Sequence, residues 1–421
     1  MSQQNKAKKD IRILFSEGSS TNAREMINAL GITGYQVDLC DPNPACLGRF
    51  SRYVKHVYRC PVSGRDPMGY LDFIVHLLEK QHYDVLFPAN EQAYLFSRFI
   101  DRLAPLTGIA VADFDAFNRV QTKSAFMRLL DELEIPHPET KFAHTWNEIE
   151  RAARSLTFPL YIKTSYGTAS TGVWHVENPA ELDSLHPRLD APSLLDGNTE
   201  FLVQAASAGY FEQSHAIFDR GRLAALRCTR RLLEGAQGGA VVKIGVDRPA
   251  VRRDFESLGR ALGWHGSLSI DYFWDEAHSR PSYIDCNPRI TEPMNALFNG
   301  VNLADLQVRL SLGQALPDVT DATLLAKSHT LLQAMLGSAG RRQSRRDVLN
   351  EVRQVLLRQG IYADSREGMT PVAEDLPSII PVAVIFASLM VNPGLYKGLA
   401  MNTISNYSLG AAIPMLAEVG E

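Results

Sequence analysis

Two short segments set oxygen ligands at spacings that suit metal chemistry. LSIDYFW (268–274) and SYIDCNPR (282–289) each read as a strand carrying one acid, Asp271 and Asp285. A period of two puts Asp285, Asn287 and Arg289 on one face of the second strand. If the two strands pair as a hairpin, Asp271 joins that face. Carboxylates and an amide oxygen are hard ligands suited to Mg2+, whose remaining positions go to water and phosphate. An arginine beside them can grip a transferring phosphoryl group or a carboxylate. A pair of surface acids before an Asn-Pro turn has the same letters, so this segment alone leaves both readings open.

A second segment, YIKTSYGTASTGV (161–173), is a strand ending in Lys163 that runs into a loop of small and hydroxyl residues. Such a loop lets backbone N–H groups and hydroxyls approach phosphate oxygens, and the lysine adds a point charge. GxxxxGK[ST] and GxGxxG are both absent, so it is neither a Walker A loop nor a dinucleotide fingerprint. A plain Gly/Ser/Thr hairpin is the alternative. Lys123 opens a helix after Gln121. FLVQ (201–204), followed by Gly209 and Glu212, is an apolar strand leading to an acid, an arrangement able to hold a purine and its ribose. Arg227, Arg230 and Arg231 precede the glycine-rich EGAQGG (234–239) and could bind a carboxylate or form surface ion pairs.

The elements that must position these residues fall into distinct blocks. IRILF (11–15), a strand from Tyr35 that ends in Asp41-Pro42, DVLFPAN (84–90) and IAVAD (109–113) read as strands alternating with helices, from Thr21 to a stop at Gly31, Tyr70 to Gln81 and Gln92 to Leu103. That alternation predicts a doubly wound parallel sheet. Its functional rim lies beyond the C-terminal strand ends, at Ser16–Ser20, Asp41 and Asn90-Glu91. From about Pro159 to Pro288 short strands dominate, with a hairpin at Asp219-Arg220-Gly221. After Gly313 the pattern is mostly helical. It includes a basic amphipathic stretch (341–360) and an apolar run, Ile379–Val391, read as a buried helix or strand pair.

Composition narrows the function. The 421 residues are 45% hydrophobic and 21% charged, with 43 Lys+Arg against 47 Asp+Glu and a net charge of −4. This is an ordinary globular chain of about two or three domains. Nothing in its charge suggests nucleic acid as a partner. Cys40, Cys46, Cys60, Cys228 and Cys286 have no zinc spacing and suit buried thiols in a reducing cytosol. The polar N-terminus lacks a signal-peptide core, and the apolar run falls short of the ~20 residues of a membrane span. The expectation is therefore a cytoplasmic protein without a transmembrane span.

Taken together and in order, these segments resemble the ATP-grasp superfamily, in particular the carbamoyl-phosphate-synthase-like type. The resemblance covers Ile11 to Pro317, about three-quarters of the chain. VQTKSAFMRLLDELEIPHPET (120–140) looks like the family's lysine-bearing helix and its proline exit. YIDCNPRITEPMNALFNGVNLADLQVRLSLGQALP (283–317) is similar to the acid-x-Asn-Pro-Arg segment and the helix after it.

The resemblance implies an α/β and α+β architecture in three parts. These are a pre-ATP-grasp α/β domain (1–115), a two-lobed ATP-grasp domain (116–318, with a lid subdomain at about 155–210) and a mostly helical extension (319–421). It further implies that Lys123 and Lys163 contact ATP phosphates. Ser165, Gly167, Thr168 and Gly172 belong to a lid over the triphosphate. Gln204 sits at the adenine hinge, and Glu212 binds the ribose hydroxyls. Asp271, Asp285 and Asn287 hold two Mg2+ ions, with Mn2+ as a substitute, and Arg289 stabilises the phosphoryl group in flight.

The implied activity is an ADP-forming carboxylate–amine ligase acting on small molecules through an acyl phosphate. A kinase, a carboxylase or a non-catalytic nucleotide-binding scaffold are the alternatives. The chain departs from the family at Gln204-Ala205-Ala206, where Gln/Glu-Glu-Tyr/Phe is usual, and in using aspartate where glutamate is commoner as a metal ligand. The extension matches no family segment. It could cover the core, form a homodimer contact or complete the substrate pocket.

Overall fold

Short apolar runs between helices build a parallel sheet from Arg12–Phe15, Gln36–Asp41, Val54–Arg59 and Val85–Phe87. Arg12–Phe15 lies between Gln36–Asp41 and Val85–Phe87, and Val54–Arg59 forms one edge. The computed structural model describes residues 7–167, 171–189, 199–317, 319, 325–401, 404–410 and 412–418. Phe15 and Phe87 stack at 4.5 Å on one face of the sheet, over Met26, Ile27 and Leu30 of the helix Thr21–Gly31. That helix starts where Ser20 Oγ accepts the Ala23 N–H at 3.0 Å, an N-cap of ordinary kind.

Two sequence expectations change here. Residues 109–113 form no strand. Ala110 donates its N–H to Ser311 Oγ and its carbonyl accepts from Gln307 Nε2, so side chains of the helix Leu303–Ser311 satisfy the backbone that a neighbouring strand would have paired. Only a bridge from Val85 to Gly108 remains. The edge strand Val54–Arg59 takes the fourth place instead. Its residues are partly exposed, which is why hydrophobic patterning misses it.

A second sheet is antiparallel and has four strands, in the order Thr140–Ala143, Phe201–Ala205, Leu160–Thr164, Val173–Val176. The third sheet has seven: Arg280–Asn287, Gly266–Asp275, Tyr210–Asp219, Arg222–Glu234, Ala240–Val246, Lys327–His329 and Ser365–Glu367. The hairpin at residues 219–222 turns through Arg220 and Gly221, both with positive φ. Phe117 meets Trp264 at 5.4 Å, within a core cluster shared by helices beside the first sheet and strands of the third. Burying a side chain of that size stabilises by about 2–3 kcal/mol.

The last hundred residues contribute the final two strands of the third sheet, paired parallel to each other. Their helices Leu331–Arg342, Arg345–Leu356 and Ile379–Val391 pack together beside it. Ile379–Val391 is a helix, yet only Val382 and Leu389 are fully buried, while Ile380 and Val384 are exposed. One stripe of this uniformly apolar helix is enough to dock it, and the rest faces out. Among the described residues, no helix is long and apolar enough to cross a membrane. All five cysteines are buried free thiols.

Candidate active site

Strand pairing decides where the two acids go. Asp271 and Asp285 are direct cross-strand partners, with a bulge immediately after Asp271. Asn287 pairs with Ser269, so the acids and the amide share a face, as the period-two reading requires. Asp271 accepts the Gln213 Nε2 proton at 2.9 Å. Burial first, then the charge of Asp285, pushes Asp271 up to about 7. Such a pair of close acids favours a cation between them. The donors are two carboxylates and an amide oxygen, a set that fits Mg2+. Among the described residues, no three His, Cys, Asp or Glu side chains gather as a further metal cluster.

The lysines arrive from the facing sheet and from the helix between blocks. Lys163, at the end of its strand, donates to Gln204 Oε1 at 2.7 Å. It is 6% exposed, and burial pulls it down to about 8 against the opposing pull of Asp285. Gln204 is oriented by donating its own amide to Thr140 Oγ1 at 2.9 Å. Lys123 begins the helix Lys123–Glu132, whose N-cap Thr122 accepts from Ala125. Its ammonium donates to the Gly167 carbonyl at 3.0 Å and lies 3.7 Å from Asp285. Ser165 meets Ser124 at 2.6 Å between their hydroxyls. Gly172 has φ +70, and a Cβ there would lie 2.1 Å from Thr164 Oγ1, so the loop can return to its strand only with glycine.

One cavity of about 480 Å³ is lined by Lys123, Lys163, Gly167, Gln204, Asp271, Asp285, Asn287 and Arg289. Ser165 lines a smaller pocket that shares Lys123, Gly167 and Asp285 with it. Thr168 lies outside the described residues. The arrangement offers cations and hard oxygen ligands between two sheets, a geometry suited to holding a polyphosphate.

This architecture aligns with solved structures over most of its length. The biotin carboxylase domain of Hydrogenobacter thermophilus 2-oxoglutarate carboxylase matches with a TM-score of 0.61 at 16% identity, over 75% of this chain and 73% of that one. L-amino acid ligase from Bacillus licheniformis matches at 0.60 and 16%, over 77% and 81%. An N5-carboxyaminoimidazole ribonucleotide synthetase matches at 0.60 and 14%, over 79% and 84%. The chain has the ATP-grasp fold. In sequence, the chain is 23% identical over 309 residues to the arginine-specific carbamoyl phosphate synthase large chain of Geobacillus stearothermophilus. That match covers 70% of the chain but only 28% of the relative. No family model matches the chain.

Not every expected residue faces the cavity. Glu212 is fully buried on the opposite face of its strand. Its carboxylate accepts from Arg230 Nε at 2.8 Å, from Arg248 Nε at 2.8 Å and from Tyr272 at 3.0 Å. These bonds leave it no oxygen for a ribose, and its neighbour Gln213 faces the acids instead. Arg230 is occupied by Glu212, whereas Arg231 lines the cavity, stacks on Phe211 at 4.1 Å and pairs with Glu234 at 2.7 Å. Asn22, Thr291, Glu292 and Tyr407 also line the cavity, and sequence reasoning did not single them out. Gln213 reaches the acids as the residue paired with Asp271 from the neighbouring strand, a register that no local signal gives, and none marks Tyr407.

Proposed function

We propose that this chain is an ATP-dependent carboxylate–amine ligase that makes an amide through an acyl phosphate and releases ADP and phosphate. The observation that carries the reading is the convergence of Lys123, Lys163, Asp271, Asp285, Asn287 and Arg289 on one cavity. Its resemblance to a carbamoyl phosphate synthase chain and to an L-amino acid ligase supports that chemistry. The biotin carboxylase neighbour was crystallised with MgADP, which supports ATP and Mg2+ as the ligands here.

Lys163 and Lys123 hold the triphosphate and offset its charge. A carboxylate oxygen of the acid attacks the γ-phosphorus as the bond to the β-phosphate oxygen breaks, leaving ADP and the acyl phosphate. Arg289 stabilises the charge on the phosphoryl group in flight. The amine nitrogen then attacks the acyl carbon, phosphate leaves with the C–O pair, and the nitrogen loses a proton. Mg2+ held by Asp271, Asp285 and Asn287 would supply charge neutralisation on the phosphate oxygens. The glycine-rich residues 234–239, four of which line the cavity, help exclude water that would hydrolyse the acyl phosphate.

The test incubates the full chain with Mg-ATP and pooled amino acids and small carboxylic acids. The expected result is pool-dependent ADP and phosphate, with a product mass equal to acid plus amine minus water. Bicarbonate-dependent ADP release would move the reading to a carboxylase, the activity class named for the biotin carboxylase neighbour. A phosphorylated product would make it a kinase.

A further inference from the structure

Asn90 lies three residues beyond the strand Val85–Phe87, on the rim of the parallel sheet, and lines the cavity. It is 1% exposed, and neither of its amide atoms has a hydrogen-bond partner among the described residues. A buried amide left in this state is costly unless a ligand completes it. Arg289, which lines the same cavity, also has its Nε buried and without a partner.

The wall beside them comes from the far end of the chain. Asn406 Nδ2 donates to Ser19 Oγ at 3.1 Å, and Leu409 N–H donates to Glu91 Oε2 at 2.7 Å. Gln92 Nε2 donates to the Tyr407 carbonyl at 3.3 Å. Leu409, Ile413 and Leu416 are buried in the core cluster, so the segment is docked through both polar and apolar contacts. Tyr407 thereby becomes a lining residue of the cavity.

We propose that the part of the cavity bounded by Asn90, Tyr407 and Arg289 is the subsite for the acid substrate. It selects a carboxylic acid that carries a neutral group able both to donate and to accept a hydrogen bond, a hydroxyl or a carboxamide. The proposal rests on the ligase reading above. Arg289 takes the reacting carboxylate. A hydroxyl or carboxamide satisfies both amide atoms of Asn90 at once, whereas a second carboxylate would satisfy only the Nδ2 donor and an ammonium only the Oδ1 acceptor. The nearby acids already have partners: Glu292 is bound by Lys243 at 2.6 Å and Glu91 by the Leu409 backbone. A site built around a polar group rejects the isostere that lacks it, because its own buried groups are then left unpaired.

The experiment measures phosphate release by the full chain with Mg-ATP and an amino acid pool. The acids are matched in length: an alkyl acid, its hydroxy and carboxamide counterparts, and a dicarboxylate. The same series is run on Asn90→Leu and Asn90→Asp, with melting curves and Mg-ATP affinity for each. The wild type is expected to favour the hydroxy or carboxamide acid by about tenfold or more in kcat/KM. Asn90→Leu should bring that ratio near one through KM, with Mg-ATP affinity within about twofold of wild type. Asn90→Asp, close in shape, keeps an acceptor for the hydroxyl or carboxamide proton, so it should retain the preference over the alkyl acid and turn the dicarboxylate away more strongly. A wild-type ratio near one, a dicarboxylate preference, or a ratio that survives Asn90→Leu overturns the subsite alone. Phosphate release with no acid in the series, while Mg-ATP still binds, overturns the ligase reading and the subsite with it.

Discussion

The two sides of the cavity handle polarity in opposite ways. On the side proposed for the nucleotide, Lys163 is held by Gln204, Lys123 by the Gly167 carbonyl and Asp271 by Gln213. On the rim side, Asn90 and the Arg289 Nε are buried without partners among the described residues. The first side is assembled from strands and a helix inside 120–290; the second joins Asn90 to Tyr407, more than three hundred residues away. The contrast sets a pre-paired frame of cations and acids beside a pocket whose buried amide has no partner among the described residues. Pre-pairing holds cations rigid and lowers the reorganisation needed when phosphate charge develops. Leaving an amide unpaired instead makes the pocket's stability depend on what fills it.

The sharpest way to break this comparison is to remove one of the acids proposed to hold the metal. Asp285→Ala should lower ADP formation by about a hundredfold or more while leaving the melting temperature near wild type, because the loss falls on the charge holding the phosphates. Retained turnover in phosphate release would show that the paired side is not the reacting side.

Glu212→Gln separates structure from nucleotide binding. Breaking a buried charge pair strands Arg230 and Arg248, and the expected loss is about 3 kcal/mol in denaturant unfolding. Mg-ATP affinity of the folded fraction should not change, since Glu212 faces away from the cavity. Lost affinity at unchanged stability would return Glu212 to the ribose.

Lys163→Ala should weaken ATP by about tenfold, roughly 1.4 kcal/mol, read by calorimetry. Unchanged affinity would remove the strand lysine from the phosphate frame.

His215 reports on the sheet that carries the frame. Burial, with Lys243 adding, pushes its imidazole down from 6.5 to about 3. The unfolded chain therefore takes up a proton near pH 6.5 that the folded chain refuses. Stability is complete above pH 6.5 and falls as the pH drops from there toward 3, by about 1.4 kcal/mol per pH unit. His215→Gln should flatten this slope in unfolding curves measured between pH 7 and 5. A slope that persists would place its source elsewhere.

The smallest effect belongs to the rim side. Asn406→Ala removes one hydrogen bond to Ser19 and should cost about 1 kcal/mol of stability. Hydrogen exchange should rise over residues 404–410 and not over 160–176; a uniform rise would mean that the terminal segment and the nucleotide side open together.

Sequence legibility followed the same divide. Asp271 opposite Asp285 and Asn287 beside them were readable because alternation along a strand is a local rule. The placement of Lys163 beside Gln204 needed only that two apolar strands pair. Glu212 failed because which of two neighbouring residues faces the acids depends on the register between strands some sixty residues apart, which the letters alone do not give. The facing residue is Gln213. The IAVAD stretch failed because Gln307 and Ser311, some two hundred residues later, capture its backbone bonds.

Residue types and local period thus determined the chemistry on offer in this protein. They supplied two lysines, two aspartates, an asparagine and an arginine at spacings that suit phosphate, on elements whose kind was readable from their own patterning. Tertiary structure alone decided which face of each strand met the cavity and which distant segment closed it. Register and docking depend on contacts between residues far apart in the chain, and such contacts leave no periodic trace in either partner. Asn90 and Tyr407 share a cavity because the segment that carries Tyr407 is docked by Ser19 and Glu91 and by the burial of Leu409, Ile413 and Leu416.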